Sequence, residues 1–242
     1  MLYAYQNGNG AHPQRLKNYV AIVLDESGSM DAMRREAIDA FNEQADAIRT
    51  AAADQDTRVS LVKFNTVVPN PVYWNEPVGS LARLTARDYC PTGLTAMLDA
   101  VGLTIDRLKT MKDAGEDHVS FLVIVISDGY ENNSKRFTYP QIAKRIGDLQ
   151  KTDRWTFVYL GSNQDLSVIS QEMGIHPDNV ASFKATSEGM KEAGSVQAAA
   201  TMNYVAERRA GMKSSKAFYK RDADVPPTPE DTGEGNFWNT RP

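Results

Sequence analysis

The run Tyr19-Val-Ala-Ile-Val-Leu24 is apolar without a break, rich in β-branched residues, and stops abruptly at Asp25-Glu-Ser-Gly-Ser29. A strand with one wet face would alternate polar and apolar side chains. A continuous run must be covered on both faces, which is the signature of a central strand in a parallel sheet. The rest of the chain supplies the cover. Val119–Ile126 is the most apolar run and reads as a second central strand, and Val59–Phe64, Trp155–Leu160 and Val180–Phe183 read as three more. Between them fall helical patterns over Asp31–Ala52 (apolar at Met33, Ala37, Phe41, Ala45 and Ile48), to about Lys112 (Leu98, Val101, Ile105, Leu108), Pro140–Gln150, Asp165–Met173 and Ser187–Met212. Val67–Trp74 contains Pro69 and Pro71, which have no N–H to give a central ladder, so it is expected to be an antiparallel edge strand joined to Val59–Phe64 by a tight turn at Asn65-Thr66. The alternation predicts an α/β fold: a doubly wound, mostly parallel sheet with one antiparallel edge strand and helices on both faces.

The 242 residues suffice for one full core with appendages. Met1–Asn18 lacks periodicity and is expected to be an arm, residues 19–221 the domain, and residues 222–242 an acidic tail rich in proline and glycine. Asp222, Asp224, Glu230, Asp231 and Glu234 against Arg241 place the whole net charge of −4 in that last stretch, and the body is formally neutral. No basic footprint points to nucleic acid, and no apolar run is long enough for a membrane span. The first residues lack the basic and apolar regions of a signal peptide, so a cytoplasmic location is expected. One cysteine, Cys90, excludes an internal disulfide and is expected to be a half-buried structural thiol. The scattered His12, His118 and His176 argue against zinc.

Open α/β sheets bind ligands at the carboxyl ends of their strands. There this sequence gathers oxygen: Asp25, Ser27 and Ser29 after the first strand, Asp128 after Val119–Ile126, and Thr92 and Thr95 in a loop leading into a helix. Two carboxylates and up to four hydroxyls, without histidine or thiolate, suit Mg²⁺ or Mn²⁺ better than Ca²⁺, which takes more ligands and usually more carboxylates. The plainer alternatives are that Ser27, Ser29 or Asp31 caps a helix and that Asp128-Gly129 is only a turn.

At these residues the sequence resembles the von Willebrand factor A-type domains and their metal-ion-dependent adhesion site. Asp25-Glu26-Ser27-Gly28-Ser29 matches the D-x-S-x-S element, Pro91-Thr92-Gly93-Leu94-Thr95 resembles the threonine loop, and Ser127-Asp128-Gly129 matches the final aspartate element. Leu94 departs from the second glycine of many members. The resemblance covers about Tyr19–Phe183. It implies that Ser27, Ser29 and Thr95 bind a metal directly, with Thr92 the alternative threonine, and that Asp25 and Asp128 act largely through water. It also implies an open coordination position for a partner's carboxylate.

The leading expectation is therefore a non-enzymatic adhesion or adaptor module that captures an acidic side chain of another protein through Mg²⁺. Glu26, Thr92, Tyr130, Glu131 and Asn132 on the rim, and Phe237 and Trp238 in the tail, are candidate partner contacts. A Mg²⁺-dependent hydrolase is the weaker alternative: the motifs contain no further base, no phosphate-cradling loop and no cation. The terminal extensions also suit a structural subunit that laces into a viral or bacterial assembly or particle, and the resemblance allows an adaptor of an AAA+ ATPase.

Overall fold

A computed structural model describes residues 15–162 and 166–219 of the chain. Residues 1–14 of the expected arm and the whole expected tail, with Phe237 and Trp238, lie outside the described residues, while Lys17 and Asn18, read as arm, belong to the first strand. Five parallel strands and one antiparallel strand form a single sheet in the order β3-β2-β1-β4-β5-β6. The strands are β1 (Lys17–Asp25), β2 (Asp56–Phe64), β3 (Tyr73–Pro77), β4 (Val119–Ser127), β5 (Trp155–Ser162) and β6 (Val180–Phe183). The helices are α1 (Arg34–Ala51), α2 (Met97–Lys109), α3 (Tyr139–Gln150), α4 (Leu166–Met173) and α5 (Ser187–Arg209). No helix among the described residues is long and apolar enough to cross a membrane.

The uninterrupted apolar strands are explained by two separate cores. Val20, Ile22 and Leu24 of β1, with Leu122, Ile124 and Ile126 of β4, face α1 and α5. Tyr19, Ala21 and Val23, with Phe121, Val123 and Val125, face α2 and α3. Every residue of β4 is buried, and each large aliphatic side chain so placed contributes about 1.5–3 kcal/mol. Register is fixed by side chains as well as by the ladder. Tyr19 pairs with Phe121 and Phe121 with Trp155 across three strands, and their rings stack at centroid distances of 5.3 and 4.0 Å.

The structure corrects the sequence reading at three places. The antiparallel edge strand begins at Tyr73 instead of Val67, because Pro69 and Pro71 fall in the connection, which is a loop from Asn65 to Val72 rather than a tight turn. The first helix is preceded by a 3-10 segment over Gly28–Met33, so α1 proper starts at Arg34. The last helix stops at Arg209, where Gly211 takes φ +102° and its N–H bonds to the Arg208 carbonyl.

Helix α5 lies against α1 through small residues. A Cβ built on Gly194 would sit 2.8 Å from the Ala40 Cβ, so the helices touch backbone to side chain at that point. Gly194→Val is expected to lower unfolding free energy by about 1–3 kcal/mol, read from denaturant titration. An unchanged midpoint would mean that this close approach is not required.

Candidate functional site

Parallel pairing of β1 with β4, in register through Leu24 and Ile126, ends both strands at one level. Asp25 and Asp128 therefore leave the sheet side by side. Asp25 has no solvent exposure, and its two oxygens are separately satisfied. Oδ1 accepts the Ser27 N–H at 2.7 Å and Oδ2 accepts the Ser127 hydroxyl at 2.5 Å. Burial is nonetheless the largest influence and raises the carboxyl from 3.8 to about 6, against the lowering effect of these bonds and with a further push from the Asp128 charge. Burial raises Asp128 as well, opposed by the Ser29 hydroxyl that donates to it at 2.7 Å.

The hydroxyls converge on the same spot. Ser27 Oγ and Ser29 Oγ lie within hydrogen-bond distance at 3.2 Å, and the Ser29 hydroxyl donates to Asp128. A Cβ on Gly129 would lie 3.5 Å from Thr95 Oγ1 and 3.7 Å from Ser29 Oγ, so those two oxygens flank one small space kept open by glycine. Ser27 precedes the 3-10 segment, yet its side chain makes no capping bond. The structure thus brings Asp25, Ser27, Ser29, Thr95 and Asp128 together. Thr92 is exposed on the same loop, with its N–H bonded to the Glu26 carbonyl at 2.8 Å.

Several other rim residues turn inward. Glu26 is buried, ion-paired to Lys63 at 2.7 Å, and accepts the Cys90 N–H at 2.5 Å. It thereby ties the end of β1 to β2 and to the loop before Thr95. Tyr89, fully buried, donates its hydroxyl to the Asp25 carbonyl at 2.5 Å. Asn132 Oδ1 accepts the Thr95 N–H at 2.9 Å, while the Thr95 carbonyl accepts the N–H groups of Asn132 and Asn133. Glu131 accepts the Leu98 N–H at the start of α2 and those of Asn133 and Ser134. Asp99 receives three consecutive N–H groups, from Lys135, Arg136 and Phe137. The sequence does not reveal these anchors, since an acid beside a loop reads the same whether it points out or in. Tyr130 remains on the surface, 64% exposed. Cys90 is exposed rather than half-buried, with its sulfur accepting from Arg34 at 3.4 Å.

The donor set can be judged against a metal's needs. Among the described residues no three His, Cys, Asp or Glu side chains cluster as a metal site; this cluster draws instead on hydroxyls. Adjacent ligands of an octahedral Mg²⁺ with 2.0–2.1 Å bonds are about 2.9 Å apart. The oxygens of Ser27 and Ser29 lie 3.2 Å apart, close to that value. The residues fit a small hard cation.

Comparison with known proteins agrees with this architecture. No curated protein matches the chain. Among solved structures, proximal thread matrix protein 1 of the mussel byssus aligns at TM-score 0.51 and 16% identity, over 81% of this chain and 46% of that one. The pilus adhesin SpaC of Lactobacillus rhamnosus GG in its open conformation aligns at 0.57 and 13% identity, over 82% and 31%. The vWF domain of the type V pili tip protein Mfa5 of Porphyromonas gingivalis aligns at 0.53 and 11%, over 84% and 98%. The chain therefore spans less than half the length of the byssus protein and about a third of SpaC. The family model described as the von Willebrand factor type A domain matches residues 20–197, and the chain belongs to that family.

Proposed function

We propose that the chain is a protein-interaction module that holds Mg²⁺, or Mn²⁺, at the carboxyl edge of its sheet and uses it to capture a carboxylate of another protein. The observation that carries this reading is that Ser29 Oγ and Thr95 Oγ1 flank one small space beside Gly129, with Ser29 bonded to Asp128. Ser27, Ser29 and Thr95 would be the direct ligands and the aspartates their supports. Neutral first ligands leave a divalent cation with most of its charge, and that charge attracts an anionic side chain.

This chain's own groups then have distinct tasks. Ser127 and the Ser27 N–H hold Asp25 in one orientation, so its charge faces the hydroxyl cluster. Asn132 fixes the Thr95 backbone from both sides, leaving the hydroxyl as the variable part. Ser29 and Gly28 are exposed, so the cluster opens to solvent on that side. The similar adhesin and pilus-tip structures share the fold.

Two measurements test the reading. Thr95→Ala removes one hydroxyl while the backbone bonds that anchor the residue persist, so the fold should survive and Mg²⁺ affinity by calorimetry should fall about 10–100-fold. Equal Mg²⁺ binding by the wild type and the variant refutes the assignment.

The second measurement uses the buried charge. Because the Asp25 carboxyl is raised from 3.8 to about 6, the folded protein keeps a proton that the unfolded chain has already released. Stability in EDTA should therefore fall as pH climbs from about 4 to about 6 and stay lower above that. Asp25→Asn escapes this loss. At neutral pH in EDTA it should be more stable than the wild type by up to about 3 kcal/mol, whereas saturating Mg²⁺ should stabilise only the wild type. A wild type as stable as the variant in EDTA and indifferent to Mg²⁺ refutes the idea.

A further inference from the structure

Of the three hydroxyls assigned to the cation, that of Thr95 comes from a loop that follows no central strand, and the backbone around it is gripped by its neighbours. On one side the loop after β1 holds it: the Thr92 N–H donates to the Glu26 carbonyl at 2.8 Å, and the Gly93 carbonyl accepts the Gly28 N–H at 3.1 Å. The loop after β2 takes the next groups. The Leu94 N–H donates to Thr66 Oγ1 at 2.9 Å, and the Ala96 N–H donates to the Asn65 carbonyl at 2.8 Å. Thr95 itself is held by the loop after β4. Its N–H donates to Asn132 Oδ1 at 2.9 Å, and its carbonyl accepts the N–H groups of Asn132 and Asn133 at 3.1 and 3.2 Å.

Asn133 closes the ring, since its Nδ2 donates to the Thr66 carbonyl at 2.6 Å and so joins the two outer loops to each other. Gly93 makes the arrangement possible. Its φ is +76°, and a Cβ there would collide with Thr66 Oγ1. Glu131 braces the same loop by accepting the Asn133 N–H at 2.8 Å and the Leu98 N–H at 2.9 Å.

A site reads the size of a cation through how far its ligands can separate. Calcium–oxygen bonds are about 0.4 Å longer than those of magnesium, so a site that admits calcium must let its oxygens spread. Thr95 has little slack for this. It is buried and β-branched, which restricts its χ1. Shifting its backbone would stretch the bonds of Leu94, Thr95 and Ala96 together, beyond the range in which such bonds are strong. We propose that Asn132, Asn133 and Thr66 are positioning residues that set which ion the site accepts, holding Thr95 at the spacing of a small cation and against the spread that calcium requires. The inference rests on the metal-site reading above and assigns the selectivity of that site to residues outside its ligand set.

Calorimetric titration of the full 242-residue chain with Mg²⁺ and, separately, with Ca²⁺ tests this in two variants. Asn132→Ala removes the acceptor of the Thr95 N–H, and Thr66→Val, at an exposed position, removes the acceptor of the Leu94 N–H. The ratio of Mg²⁺ to Ca²⁺ affinity should fall about tenfold in each, chiefly through weaker Mg²⁺ binding. A purely structural role would weaken both ions alike, so affinities that fall together, or a ratio that stays at the wild-type value in both variants, overturn the inference. Amide hydrogen exchange in EDTA reads the clasp without a metal. The Thr95 amide should exchange about tenfold faster in Asn132→Ala than in the wild type, and equal rates overturn the clasp. Mg²⁺ binding that is equal in the wild type and Thr95→Ala removes the site reading and this inference with it. Thr95-dependent Mg²⁺ binding with an unchanged ratio removes the selectivity alone and leaves the site reading standing.

Discussion

A carboxylate with no solvent exposure, set at the end of a parallel strand, is the constraint around which this edge of the molecule is built. Asp25 loses its water to the fold, and two hydrogen bonds replace only part of that solvation. The residues that supply them, Ser27 and Ser127, belong to different strand ends and can meet only because β1 and β4 are adjacent and in parallel register. Sheet topology and site chemistry are therefore one requirement. Placing another strand between β1 and β4 would leave Asp25 without the Ser127 hydroxyl and separate it from Asp128.

A second requirement follows from how the surrounding loops are held. Loops at a sheet edge have few apolar contacts, so their order has to come from polar bonds. Here acids do that work by turning inward: Glu26 toward Lys63 and the Cys90 N–H, Glu131 toward the start of α2, Asp99 toward three successive N–H groups. Each carboxylate so used is withdrawn from the outer surface. At the cluster Ser29 is exposed and Asp128 half-buried, while Ser27 and Thr95 lie beneath, and exposed Leu94, Val67 and Tyr130 stand on the surrounding loops. On such a rim, a bound cation would be the main local charge and would set which ligands are attracted.

The parts of this arrangement that were legible in the sequence are those with a one-dimensional signal. Burial on both faces writes itself as an unbroken apolar run, so β1 and β4 are readable, and the structure has Asp25, Ser27 and Asp128 at their carboxyl ends. The edge strand was harder. Pro69 and Pro71 identify an edge but not where pairing resumes, and the structure resumes it only at Tyr73, with a register irregularity between Val59 and Leu61. Hidden altogether were the roles of Glu131, Asn132 and Asp99, because an inward-facing acid differs from a solvated one only in where the rest of the chain comes to lie. Glu131 and Asn132 as partner contacts and as internal anchors have the same sequence; only the folded geometry reveals their bonds to Leu98 and Thr95.

The opposite end of the sheet shows the complementary solution to burying charge. Arg208 is 1% exposed, and its guanidinium donates to three neutral oxygens, Asn18 Oδ1 at 2.9 Å, the Met212 carbonyl at 2.7 Å and the His118 carbonyl at 3.0 Å. Burial lowers its pKa, yet a guanidinium is so strong a base that it keeps its proton. These bonds join the end of α5 to β1, to the approach to β4 and to the turn that follows the helix. Asn18 in turn donates to Gln55 and Thr57, extending the network to β2. At this end the buried charge fixes α5 on the sheet. At the carboxyl end Asp25 and Asp128 are held above their ordinary pKa range, with hydroxyls beside an opening to solvent.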